Sequence, residues 1–103
     1  MATETYRIGA SGVRFKSQVT EDDAEVNVST CTLIQIEFRK PDGTLLSRAT
    51  GSSFTDTDSQ VKAYYDLSDS TLLAVGGLWA YRWWLTFSGG YAGATAWVPF
   101  LAE

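Results

Sequence analysis

No histidine occurs in the 103 residues, and there is one cysteine. Without imidazole the usual catalytic triad, the common zinc sites and most general-base schemes near neutral pH are excluded. The lone Cys31 excludes an intrachain disulfide, the usual staple of a small secreted domain. Positive charge is also scarce. Eight Lys and Arg stand against twelve Asp and Glu, a net charge of -4. That disfavours a binder of nucleic-acid backbone, which needs a basic patch to displace counterions. No apolar run approaches the roughly 20 residues needed to span a bilayer. The first residues, Met-Ala-Thr-Glu-Thr-Tyr-Arg, lack a basic segment followed by an apolar one, so no signal peptide is expected and synthesis in a cytoplasm follows.

What is present is apolar and aromatic. A 45% hydrophobic share with 14% aromatics excludes a disordered chain, and the length fits one domain with its own core. The stretch Leu78–Phe87 holds three of the four tryptophans, between Gly76-Gly77 and Ser88-Gly89-Gly90. Read with period two, Trp79, Tyr81, Trp83, Leu85 and Phe87 share one face, and Ala80, Arg82, Trp84 and Thr86 the other. This pattern predicts a strand buried on one side.

Elsewhere the signals are turns between short alternating runs. Residues 1–11, around Tyr6 and Ile8, read as an N-terminal arm or an edge strand formed against a neighbour. Residues 12–103 read as a single domain. Val13, Phe15 and Ser17 alternate with polar residues, a first strand. Glu21-Asp22-Asp23-Ala24-Glu25 reads as a solvated acidic loop rather than a metal site. A long strand is expected from Thr32, with Ile34, Ile36 and Phe38 on one face and Gln35, Glu37 and Arg39 on the other. Lys40-Pro41-Asp42-Gly43-Thr44 ends it in a tight turn, and Leu45, Leu46 and Arg48 return. Gln60–Leu67 predicts a further strand with Val61, Ala63, Tyr65 and Leu67 inward. Ser68–Leu73 suggests one capped helical turn, and a last strand runs from about Thr95 to Leu101. Roughly seven short strands separated by turn signals predict an all-β, antiparallel immunoglobulin-like β-sandwich, with a small barrel as the alternative. Trp79 and Trp83 would fill its centre in place of a disulfide.

The inventory for chemistry is thin. Cys31 has no imidazole to activate it and reads as a small buried thiol. Asp56-Thr57-Asp58 resembles part of a calcium loop but lacks the glycine and distal glutamate of an EF-hand. Gly9-Ala10-Ser11-Gly12 lacks the Gly-Lys-Ser/Thr of a phosphate loop. Asn27-Val28-Ser29 fits a glycosylation sequon without a secretory signal to use it. Nothing selects a carboxylate partner for Glu37. No catalytic residue, metal site or cofactor is expected.

The closing hairpin carries the more useful signal. With its turn centred between Gly90 and Tyr91, Trp84 faces Trp97, Arg82 faces Pro99 and Thr86 faces Thr95. The inward pairs become Trp83 with Val98, Leu85 with Ala96 and Tyr81 with Phe100. Trp84 and Trp97 would then lie side by side on the outer face, with Arg82 available to stack. Aromatic and arginine anchors of this kind are typical of interfaces. The alternatives are cover by a loop of the same chain, or a sugar-stacking platform.

Several stretches together resemble small immunoglobulin-like domains of tailed-bacteriophage virion proteins, including the baseplate upper protein N-terminal family. They are Val28-Ser29-Thr30, Ile34, Ile36, Phe38-Arg39-Lys40-Pro41-Asp42-Gly43-Thr44, Tyr65, Leu67, Gly77-Leu78-Trp79 and Val98-Pro99-Phe100, covering about residues 12–101. The resemblance implies a non-enzymatic structural subunit of a virion (capsid decoration, neck or baseplate), assembled in the host cytoplasm. It would dock on copies of itself and other virion proteins through Trp84, Trp97, Arg82 and, on the arm, Tyr6. Neither nucleic acid nor membrane would be a partner. A carbohydrate-binding β-sandwich module, meeting a host-surface glycan, is the alternative.

Overall fold

The computed structural model describes residues 4–9, 12–21, 24–25, 28–68, 72–88 and 92–103. They form an all-β, immunoglobulin-like sandwich. The larger sheet contains β1 (Glu4–Tyr6), β5 (Cys31–Arg39), β6 (Ala49–Thr50), β9 (Gly77–Phe87), β10 (Ala92–Ala94) and β11 (Val98–Ala102), in the order β1-β11-β9-β5-β6, with β10 also on β9. The smaller sheet is β2 (Val13–Ser17), β8 (Val61–Leu67) and β7 (Ser52–Thr55), with β8 central. A hairpin of β3 (Thr20–Glu21) and β4 (Ala24–Glu25) stands apart from both, and Val28–Thr30 is a short 3-10 turn.

The central strand is the aromatic one. β9 pairs with β5 on one side and with β10 and β11 on the other. Its alternation follows the sequence pattern at Trp79, Tyr81, Trp83 and Leu85, all buried, with Trp79 and Trp83 each 1% exposed; Phe87, expected on the same face, is only half-buried, and Ala80 on the opposite face is buried. Facing them from the smaller sheet is Phe15, whose ring lies 5.2 to 5.4 Å from those of Phe38, Tyr81 and Phe100. Rings at these separations and tilts gain quadrupole attraction beyond their buried area. The Trp79 indole also donates to the Val75 carbonyl at 2.9 Å. The chain crosses from the larger sheet to the smaller at Gly51, in a tightly packed spot. A Cβ there would sit 2.5 Å from the Tyr64 carbonyl oxygen and 3.3 Å from the Trp83 ring.

The Lys40–Thr44 turn forms as expected, with Gly43 at φ 89° and its amide donating to the Lys40 carbonyl. Other expectations are corrected. The returning strand is broken: Leu45 makes an isolated bridge to Arg39, and regular pairing resumes only at Ala49–Thr50. The acidic stretch is partly a hairpin, pairing Thr20 with Glu25 and Glu21 with Ala24. Glu4–Tyr6 is an edge strand, as one of the two readings had it, but it lies parallel to β11 of the same chain rather than on a neighbour. The capped turn over Ser68–Leu73 centres on residues 69–71, outside the described residues.

The last strand departs most. It is not continuous from Thr95, and its register is not the expected one. Ala94 pairs with Trp84, whereas Val98 pairs with Tyr81. Three residues, Thr95–Trp97, therefore pass opposite two, Arg82 and Trp83, which is a β-bulge. The Thr95 amide donates to the Trp83 carbonyl at 2.9 Å, and the Thr95 hydroxyl accepts the Trp83 amide at 3.0 Å. A side-chain oxygen thus stands in for a backbone acceptor and takes up the extra residue. Consequently Pro99 faces Ala80 rather than Arg82, and Phe100 faces Trp79 rather than Tyr81.

Candidate docking face

The outer surface of the larger sheet is built from the even-numbered residues of β9 and the odd-numbered ones of β5. Glu37 lies directly across from Arg82, Gln35 from Trp84 and Arg39 from Ala80. The bulge brings Trp97 level with Arg82. Trp84 and Trp97 therefore do not form the expected direct pair, because Arg82 lies between them. Its guanidinium carbon is 5.0 Å from the Trp84 ring centroid and 4.3 Å from that of Trp97.

Two further arginines extend the row. Arg48 lies 3.7 Å from the Trp84 centroid, and Arg39 lies 4.6 Å from that of Trp97. The order across the face is Arg48, Trp84, Arg82, Trp97, Arg39. Each cation–π contact contributes about 0.5–1 kcal/mol where exposed and about 2 where desolvated. Both tryptophans are half-buried. Arginine side chains lie over both rings, and one of them, Arg48, comes from the irregular segment before β6, so a loop of the same chain contributes to the cover of Trp84.

Beneath the row lies Glu37, 7% exposed. Arg82 Nε donates to its Oε1 at 2.7 Å, and Trp84 Nε1 donates to the same oxygen at 3.0 Å. Burial by itself would raise the Glu37 pKa. The hydrogen bonds from Trp84 and Arg82, with the charges of Arg82 and Arg48, outweigh it and hold the carboxyl below its ordinary value. Glu37 is thus a fixed anion that orients Arg82 and Trp84. Arg39 and Arg48 differ from Arg82: neither has a carboxylate within ion-pair distance among the described residues.

The remaining singled-out residues do not join this face. Tyr6 turns into the core edge, with its ring 5.0 Å from Phe15 and 5.4 Å from Phe100 and its hydroxyl donating to Glu4 at 2.6 Å. Burial, then that contact, push its phenol above the ordinary range. Asp56 receives both Lys16 and Lys62 at 2.8 Å, and Asp58 receives Lys62 at 2.9 Å. Asp56 and Asp58 also accept the amides of Thr57 and Gln60. This segment is a lysine-tied turn, and no group of metal-ligating side chains gathers among the described residues. Cys31 is half-buried, which raises its thiol pKa.

Sequence reasoning placed Trp84, Trp97 and Arg82 on this face but did not bring Arg39, Arg48 or Glu37 to them. A usable signal existed in part. The alternation of β5 already put Glu37 and Arg39 on its outer side, and pairing β5 with β9 would have carried them to the tryptophans. Arg48 had no such signal, because its strand is interrupted.

No family model and no curated protein matches the chain. Among solved structures it is similar to CopC from Methylosinus trichosporium OB3b, at 13% identity, covering 100% of this chain and 85% of that one with a TM-score of 0.56. At that identity the likeness is one of fold. It corrects the expectation of a phage virion subunit: the matched structure is CopC, not a phage structural protein, so the capsid, neck and baseplate assignments are withdrawn. The sugar-platform alternative is dropped as well. Stacking needs free ring faces, and each indole here has two guanidinium groups within 5.0 Å of its centroid.

Proposed function

We propose that this domain is a non-enzymatic binding module that docks an acidic segment of another protein on the outer face of its larger sheet. The carrying observation is the row from Arg48 to Arg39, whose two end arginines lie over indole rings yet have no carboxylate within ion-pair distance among the described residues. A guanidinium stacked through its flat face keeps its in-plane N–H donors for a carboxylate, and stacking fixes the fork before the ligand arrives. Aromatic and arginine side chains are also the types that dominate binding energy at protein interfaces.

The chemistry of the rest of the chain supports binding over catalysis. There is no histidine, the Cys31 thiol is pushed up, and Glu37 is committed to Arg82 and Trp84. A short acidic segment suits the face better than a nucleic acid. The chain carries -4 overall, which opposes the approach of a long polyanion more than that of a short one.

Fluorescence anisotropy with a labelled oligo-glutamate peptide tests this. Arg39→Gln/Arg48→Gln should weaken binding about tenfold or more, since each charge-assisted hydrogen bond contributes about 1.5–3 kcal/mol, while circular dichroism stays unchanged. Trp84→Ala/Trp97→Ala should weaken it similarly. Unaltered affinity in either double variant, or tighter binding of single-stranded oligothymidine than of the peptide, would overturn the reading.

A further inference from the structure

Resting on that docking reading, we infer that the face also selects an apolar side chain next to the partner's carboxylates, in a cleft at the Arg39 end of the row. The cleft lies between the Lys40–Thr44 turn and strands β9 and β11. Its volume is about 520 Å³, and its lining includes Arg39, Lys40, Pro41, Leu78, Ala80 and Pro99.

Its shape follows from residue sizes and register. Ala80 pairs with Arg39 on one side and Pro99 on the other, so a methyl group sits where larger side chains flank it. That leaves a depression in the sheet face. Its floor is apolar, and Leu78 is 57% exposed within it. The wall is closely packed: a Cβ at Gly77 would lie 2.9 Å from the Pro41 ring, and the proline ring fixes its own φ. A preformed apolar pocket binds with a smaller ordering cost than one that must assemble around the ligand.

The rim supplies the charge. Arg39 and Lys40 carry no ion pair among the described residues. Asp42, the carboxylate of the same turn, accepts the Thr44 amide at 2.9 Å. An uncharged apolar ligand would leave the two cations unmatched, and a purely acidic one would leave Leu78 wet. The ligand complementary to both is a peptide segment with one apolar side chain flanked by Asp or Glu.

Two labelled peptides distinguish this inference from the docking reading beneath it: a run of glutamates with one central leucine, and the same run with a central serine. Filling the cleft with leucine should tighten binding about tenfold or more, from burial of one aliphatic side chain. Leu78→Ser, at an exposed position that leaves the core intact, should erase that preference. Ala80→Val, which narrows the depression, should do the same. Equal binding of the two peptides by the unmodified protein would overturn the pocket and leave the docking face standing. Failure of both peptides to bind would overturn the two together. Retention of the leucine preference in Leu78→Ser and in Ala80→Val would also overturn the pocket.

Discussion

The hydroxyl oxygen of Thr95 accepts the Trp83 amide at 3.0 Å while the Thr95 amide donates to the Trp83 carbonyl at 2.9 Å. This two-way contact accommodates the extra residue in the last strand and so decides where Trp97 lies. Thr95→Val keeps the shape and removes the acceptor, leaving the Trp83 amide unsatisfied in a part-buried position. A loss of about 1–3 kcal/mol follows. Urea unfolding followed by tryptophan fluorescence would measure it. An unchanged midpoint would show that the hydroxyl does not hold the bulge.

Glu37 is the anion on which Arg82 and Trp84 are aligned. Removing one partner of a mostly buried ion pair costs about 3–5 kcal/mol when both are enclosed. Arg82 retains 23% exposure of its side chain, so Glu37→Leu should cost less, about 2 kcal/mol. A double-mutant cycle with Arg82→Met should give a coupling of about 1–3 kcal/mol. Coupling near zero would mean that the pair adds nothing beyond its separate side chains.

Acid should weaken the fold in a defined sense. In the folded chain Glu37 lies below its ordinary value of 4.5, and Asp56, Asp58 and Asp66 lie below 3.8. As pH falls the unfolded chain takes up these protons first, so stability decreases with falling pH. The Glu37 contribution is complete above about pH 4.5 and is lost as pH drops through its lowered folded value. Urea midpoints between neutral pH and about pH 3 should fall, and Glu37→Gln should show a shallower fall. A variant slope equal to the unmodified one would contradict this.

Gly51 is where the chain leaves one sheet for the other, and the space for a side chain is taken by the Tyr64 carbonyl and the Trp83 ring. Gly51→Ala must move backbone, so a loss of about 1–3 kcal/mol is expected, as for other overpacked sites. Calorimetry would show it as a lower Tm. A Tm at or above the unmodified value would rule out the close approach.

Much of this architecture was legible from local chemistry. Period-two alternation placed Trp79, Tyr81, Trp83 and Leu85 inside because neighbouring side chains on any strand point to opposite faces. The Pro41-Asp42-Gly43 run announced its turn because Gly43 accepts a positive φ without strain. The outward series of Arg82 and Trp84 followed from the same alternation. What the sequence could not decide was which residue sits beside which across strands. The position of Trp97 depended on a hydroxyl replacing a carbonyl in one ladder, and the cover of Trp84 depended on Arg48, brought in by a broken strand. Local periodicity determines the direction in which a side chain points. Its neighbours are set by register and bulges, which answer to the packing of the whole sandwich and so become visible only once the chain is folded.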